Sequence, residues 1–279
     1  VQGLGGSRHR AAAVELAHWL VENGSDGLVL AGTTGESPTL TESEELVLFR
    51  SVREAVSVPV IAGTGSNSTA TAVEQTRRAS ETGVDGILSV TPYYNRPSQT
   101  GLEAHFRAVA AATDLPVVLY DIPVRTGRKI ETETILRLAR EVPNIRGLKD
   151  AAGDPAETAK VVAGAPPGFE VYSGDDGCTL PLLAVGAVGV ISVASHWVGR
   201  QMGEMIAAFE RGEVDTARRI NAQLLESYEF EASPDAPNPV PTKTLLGVLG
   251  LKVGSCRPPM GPAPDGLAER ARKVLEGLD

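Results

Sequence analysis

Of the six lysines in the chain, five lie in loops or helical stretches, where a solvated ammonium is the ordinary case. Lys149 instead falls inside the apolar run Ile145–Ala151 (IRGLKDA). A lysine buried without a partner is costly. Burial lowers its pKa and frees the amine lone pair for attack on a carbonyl, so Lys149 is a candidate Schiff-base nucleophile. The competing structural role is an ion pair with Asp150, which strand alternation opposes because adjacent residues point to opposite faces. Four of the five tyrosines, Tyr93, Tyr94, Tyr120 and Tyr172, fall at the ends of strand-like runs. A tyrosine there is either packing with a satisfied hydroxyl or a proton donor to an alkoxide or enamine. Tyr120 lies in the run before the lysine's, from which its hydroxyl could reach Lys149.

Gly32-Thr33-Thr34-Gly35-Glu36-Ser37 follows one apolar run and precedes a helical one. Its glycines permit positive φ, and its free amides and hydroxyls suit a carboxylate or phosphate. It is not a P-loop, because no lysine follows in register; an ordinary βα turn is the alternative. Gly63-Thr64-Gly65 reads as a turn. Arg125, just beyond the Tyr120 run, is either a solvated loop residue or a fork for a substrate carboxylate. Asp175 and Asp176 lack evident supporting ligands for Mg²⁺. His9, His18, His105 and His196 have no metal-ligand spacing, and Cys178 and Cys256 read as two reduced thiols.

These residues need a scaffold. Seven β-branched-rich runs begin at residues 26, 58, 86, 117, 145, 170 and 189, with helical patterns between them. The runs are Asp26–Gly32, Val58–Gly65, Gly86–Tyr94, Val117–Pro123, Ile145–Ala151, Glu170–Asp176 and Gly189–Ser195. Helices are expected near Arg10–Glu22, over Glu42–Val56 behind a Thr41-x-x-Glu44 capping box, and over Thr69–Thr82, Leu102–Thr113 and Glu131–Glu141. Strand then helix at a spacing of about 30 residues is the cadence of an α/β (β/α)8 TIM barrel. Barrel chemistry sits at the C-terminal ends of the strands, where Lys149, Tyr120 and the GTTGES segment fall. The Gly-rich opening Val1–Ser7 lacks the residues of a buried strand, so the first strand is expected to be missing or irregular. Residues 1–200 read as the barrel. Residues 201–279 read as its last helix and a helical extension of the same unit, with helices near Gln201–Arg211, Val214–Tyr228, Thr242–Leu249 and Gly266–Leu278.

The balance of 26 Lys and Arg against 35 Asp and Glu gives a net charge of −9, a poor match for nucleic acid or an anionic membrane. No apolar stretch reaches the roughly 18 residues of a membrane span, and no secretory signal opens the chain. The expected compartment is the cytoplasm.

GTTGES, Val90–Gln99 (VTPYYNRPSQ), Leu119–Gly127 (LYDIPVRTG), Gly147–Ala151 (GLKDA), Tyr172–Asp176 (YSGDD) and Gly189–Val193 (GVISV) occur in that order. Together with Asn238-Pro239-Val240-Pro241-Thr242-Lys243 they resemble the dihydrodipicolinate synthase and N-acetylneuraminate lyase family. These are barrel enzymes that condense or cleave pyruvate through a lysine. Within that family the Tyr93-Tyr94 pair and Arg125 point to the branch that condenses pyruvate with L-aspartate-4-semialdehyde in lysine and diaminopimelate biosynthesis. An aldolase or lyase for a sialic acid or a 2-keto-3-deoxy sugar acid, and a non-catalytic barrel lacking its first strand, are the alternatives.

The resemblance implies Lys149 as the Schiff-base residue and Tyr120 as general acid and base. It implies Thr33 as the link from Tyr120 to Tyr94, with Tyr94 entering from a neighbouring subunit. Thr33 and Thr34 would hold the pyruvate carboxylate, Gly174 and Ile191 would line the pocket through backbone groups, and Arg125 would grip the semialdehyde carboxylate. It further implies a homotetramer of tight dimers and no metal or organic cofactor. Lysine-sensitive relatives carry histidines after GTTGES and a glutamate after GTGxN. Here Glu42, Glu45 and Thr71 stand there, while Ser37, Asn67 and Tyr93 match, so lysine feedback is expected to be weak or absent.

Overall fold

The structure is a computed structural model that describes residues 7–231 and 233–278. The chain forms two compact units: Val1–Val58 with Ser192–Asp279, and Pro59–Ile191. The first unit opens with helix α1 (Ser7–Glu22), strand β1 (Leu28–Leu30) and helix α2 (Glu42–Ala55). The expected capping box is present. The Thr41 hydroxyl accepts from the Glu44 amide, and the Glu44 carboxylate accepts from the Thr41 amide at 2.8 Å. Two orphan amides of the first turn are thereby satisfied. The apolar face of α2 buries Leu46, Phe49 and Val52.

The second unit carries the parallel sheet. Its strands are β2 (Val60–Gly63), β3 (Gly86–Val90), β4 (Val117–Asp121), β5 (Ile145–Asp150), β6 (Glu170–Ser173) and β7 (Gly189–Val190). They pair parallel in chain order. Every residue of β4 is buried, as expected of a strand covered on both faces. The connecting helices are α3 (Thr69–Ser80), α4 (Gln99–Ala110), α5 (Pro123–Thr126), α6 (Thr132–Glu141), α7 (Pro155–Gly164) and α8 (Thr179–Ala184). Side chains of Ser68, Ser98 and Asp154 cap α3, α4 and α7.

The described strands are thus the seven of the TIM-type cadence. The expectation for Val1–Gly6 lies outside the described residues. Three local expectations are corrected. Arg125 sits on the one-turn helix α5, which Pro123 starts and Gly127, at φ 70°, ends. The seventh strand stops at Val190, because the Ser192 hydroxyl accepts the Ser195 amide at 2.8 Å and turns the chain into the next helix. Helix α7 fills a gap in which no helix was expected.

The first unit resumes with α9 (Ser195–Glu210), α10 (Val214–Phe230), α11 (Val240–Val248) and α12 (Leu267–Glu276). Phe230, Val240, Leu245, Leu267 and Val274 form a buried cluster that holds the last three together. Among the described residues no helix is long and apolar enough to cross a membrane.

Candidate active site

In the second unit, β4 and β5 place Tyr120 directly across from Lys149. Residues in parallel register share a face, so both side chains stand on the same side of the sheet. Lys149 Nζ lies over the Tyr120 ring, 4.3 Å from its centroid. Tyr120 is buried and Lys149 half-buried. The alternation of β5 sends Asp150 the opposite way. Its carboxylate accepts from the Thr158 hydroxyl at 2.6 Å and from the Ala152 amide at 2.9 Å. Asp150 thus braces α7 and the loop before it.

Two further elements shape the surroundings of the lysine. The Gly174 amide donates to the Asp150 carbonyl at 2.7 Å, which carries the β6 backbone past the lysine. A Cβ on Gly174 would lie 3.0 Å from Lys149 Cγ and Cε, so a side chain here would crowd the amine's stem. The Ile191 amide donates to the Ser173 carbonyl at 2.8 Å and extends β7 by one bond. Thr91, fully buried, clamps the Tyr120 carbonyl from both its amide (2.9 Å) and its hydroxyl (3.1 Å). Sequence reasoning missed Thr91. Its signal was a threonine at the end of the strand preceding the tyrosine's.

Arg125 is exposed on α5, one turn beyond the end of β4. Tyr172 is set apart from the pair by its hydroxyl, which donates to Glu170 at the start of β6 and so points away from the strand's C-terminal end. Burial, with Glu170 beside it, pushes that phenol above its usual range. Asp175 caps the turn that follows β6, accepting from the Cys178 amide at 3.2 Å. Among the described residues, no three His, Cys, Asp or Glu side chains gather as a metal-ligand set.

Tyr94 is 89% exposed and holds φ 73°, a backbone region costly for a bulky residue. Its turn is tied down on both sides. Asn95 donates to the Asn67 carbonyl at 2.8 Å, and Arg96 donates to the Gly127 carbonyl at 2.8 Å. A large aromatic ring is therefore presented outward on a rigid support.

In the first unit, β1 runs into the GTTGES turn. The turn closes through the Glu36 amide to the Thr33 carbonyl (3.1 Å) and the Ser37 amide to the Gly32 carbonyl (3.3 Å). Thr33 and Thr34 are half-buried. Glu36 holds φ 57° and is buried. Its carboxylate pairs with Lys243 and accepts the Arg257 amide at 2.7 Å. The Arg257 guanidinium forks onto Glu44 (2.7 and 3.0 Å) and donates to the Thr39 carbonyl at 2.7 Å. The Asn238 amide donates to the Thr34 hydroxyl at 3.1 Å. Lys243, expected on the solvated surface, is thus a half-buried partner of the loop. Glu36, Asn238 and Arg257 had no local signal, since their partners are some 200 residues away in the chain.

The sequence matches the dihydrodipicolinate synthetase family over residues 5–277. It is 52% identical over 250 residues to 4-hydroxy-tetrahydrodipicolinate synthase of Moorella thermoacetica, covering 89% of this chain and 85% of that one. The enzyme of the same name from Listeria monocytogenes is 52% identical over 266 residues, covering 94% and 90%. Among solved structures, dihydrodipicolinate synthase from Cyanidioschyzon merolae with lysine bound superposes with a TM-score of 0.93 at 44% identity, covering 96% of this chain and 91% of that one. The ordered motifs, the Tyr120–Lys149 pair and these likenesses agree: the chain belongs to the dihydrodipicolinate synthetase family.

Proposed function

We propose that the chain is a 4-hydroxy-tetrahydrodipicolinate synthase that condenses pyruvate with L-aspartate-4-semialdehyde on Lys149. The observation that carries this reading is the Tyr120–Lys149 pair, in register on one face of the sheet with the amine over the ring. Relatives of that name at about half identity support it.

The Lys149 amine adds to the C2 carbonyl of pyruvate, and water leaves with the carbonyl oxygen. The resulting iminium is an electron sink, so the methyl group gives up a proton and becomes an enamine carbon. That carbon bonds to the aldehyde carbon of the semialdehyde, whose oxygen takes a proton. The semialdehyde's own amine then closes onto C2 and releases Lys149. Tyr120 is the group that moves these protons. Because the iminium is itself the sink, this chemistry draws on no metal or organic cofactor.

The other roles follow the family pattern residue by residue. Thr33 and Thr34 hold the pyruvate carboxylate, and Thr33 links Tyr120 to Tyr94 of a neighbouring copy. Gly174 and Ile191 offer backbone groups, and Arg125 forks the semialdehyde carboxylate. That last role favours the semialdehyde over a neutral polyol tail, which gains nothing from a guanidinium. The working form is a homotetramer of tight dimers in the cytoplasm, serving lysine and diaminopimelate synthesis.

Borohydride trapping with pyruvate, read by intact mass and peptide mapping, tests the reading. The expected result is one pyruvate-derived adduct on Lys149. It is absent in Lys149→Ala and forms about 10²–10⁴-fold more slowly in Tyr120→Phe. A folded wild-type protein that forms no adduct overturns the proposal.

A further inference from the structure

A threonine hydroxyl has one proton to give and two lone pairs to receive. Which neighbour donates into it decides where its own proton can go. Asn238 Nδ2 lies 3.1 Å from Thr34 Oγ1 as donor. Thr242 Oγ1 lies 3.1 Å from Asn238 Oδ1, again as donor. Asn238 is 6% exposed and Thr242 1%, so water does not compete for either bond. The three groups form a one-way chain of donors: Thr242 to Asn238, Asn238 to Thr34. The Thr242 proton fixes the amide so that its NH2 end faces Thr34. Thr34 must then direct its own proton elsewhere.

We propose that Asn238, held by Thr242, is a positioning residue that keeps the Thr34 hydroxyl a donor towards a substrate carboxylate. This rests on the reading of Thr34 as a carboxylate-binding group. It adds the residues that orient it and accounts for an amide rather than an acid at position 238. A carboxylate there could only accept, so it would draw the Thr34 proton to itself and set a negative charge close to an anionic substrate. The neighbouring residue of α11 acts in parallel: Lys243 pairs with Glu36, two residues beyond Thr34. Residues 242 and 243 of α11 thus act on the GTTGES turn at two points, Thr242 on Thr34 through Asn238 and Lys243 on Glu36 directly.

The test is a double-mutant cycle between Asn238→Ala and Thr34→Val, read as steady-state KM for pyruvate and for aspartate-semialdehyde. Asn238→Ala is expected to raise the pyruvate KM several-fold, up to about tenfold, the worth of one hydrogen bond. The semialdehyde KM stays unchanged. In the Thr34→Val background, Asn238→Ala adds nothing to the pyruvate KM. Equal rises in both backgrounds, or a loss shared by both substrates, overturn the orienting role while leaving Thr34 on the carboxylate. A Thr34→Val enzyme with an unaltered pyruvate KM overturns the underlying reading and the proposal with it. Should Asn238→Ala fail to fold, Thr242→Val removes the donor that fixes the amide without touching Thr34. It raises the pyruvate KM, and Thr242→Ser, which keeps the hydroxyl, restores the wild-type value. Identical KM values for the valine and serine variants overturn the role of Thr242.

Discussion

At the scale of single residues, side-chain direction separates groups that composition cannot. Lys149 and Asp150 are neighbours in sequence, yet one meets Tyr120 and the other Thr158 on the opposite face. His105 is a buried titratable group remote from this chemistry. The Thr69 hydroxyl pairs with its Nδ1 at 2.9 Å, Nε2 is buried without a hydrogen-bond partner, and burial pushes its pKa down to about 4. Its folded pKa lies below the unfolded value, so the unfolded chain binds the extra proton between about 6.5 and about 4. Stability is therefore lost as pH falls through that window, by about 3 kcal/mol from this one group. Asp121 and Glu45, both raised to about 7 chiefly by burial, act in the opposite sense and gain stability as pH falls below 7. Chemical denaturation of wild type and His105→Gln across that range isolates the histidine. The difference in unfolding free energy should change with pH in the stated direction, and a pH-independent difference would refute the assignment.

Lysine feedback belongs to the same scale. The family resemblance sets Glu42, Glu45 and Thr71 where lysine-sensitive relatives are expected to hold histidines and a glutamate. Glu45 is buried against like-charged Glu42 and Glu44, which with burial holds it towards its neutral form. Neither the imidazoles nor the glutamate side chain in place of Thr71 is there to receive a lysine ligand. Initial rates at increasing L-lysine should stay close to the uninhibited rate. An inhibition constant in the micromolar range would contradict this.

At the scale of elements, the sequence was most legible where local rules act alone. The α2 capping box, the opposite faces of Lys149 and Asp150, and the order of the strands followed from period, capping and turn residues. The bounds moved where tertiary partners intervened. β7 was expected through Ser195 but ends at Val190, because Ser192 uses its hydroxyl to start α9. Helix α7 carried ordinary signals, an Asp154 cap, Pro155 in the first turn and Glu157 after it. The shorter spacing between the runs at 145 and 170 masks them. Lys149 was legible as a candidate because a lysine is unusual inside an apolar strand run, and Tyr120 because it ends the strand run before it. The bracing of the GTTGES turn was not, because Asn238, Lys243 and Arg257 reach it from the far end of the chain. That bracing makes Arg257 an anchor between α2 and the loop before α12. Arg257→Ala leaves the buried Glu44 carboxylate without its fork and should cost about 2–3 kcal/mol of stability. Arg257→Lys, a point charge without the bidentate geometry, should recover only part of this. Thermal melts of both variants check it, and unchanged melting temperatures would show that the ion pair contributes nothing.

At the scale of the whole molecule, the feature left unexplained by a single chain is Tyr94. Tyr94 is 89% exposed on a left-handed backbone held from both sides, so its ring adds little to the packing of its own unit. Such strain persists where surrounding structure over-determines it and is commonly tied to function. In the proposed dimer the ring completes the partner's site, and that has a consequence no single-chain site shares. A Lys149→Ala chain supplies a good Tyr94 but no amine, while a Tyr94→Ala chain supplies the amine but no tyrosine to its partner. Each homo-oligomer should be nearly inactive. When the two are unfolded together and refolded, half of the random dimers are mixed, and each mixed dimer holds one intact site of two. About a quarter of wild-type activity should therefore return. If Tyr94 served its own chain instead, no mixed dimer would contain an intact site and no activity would return.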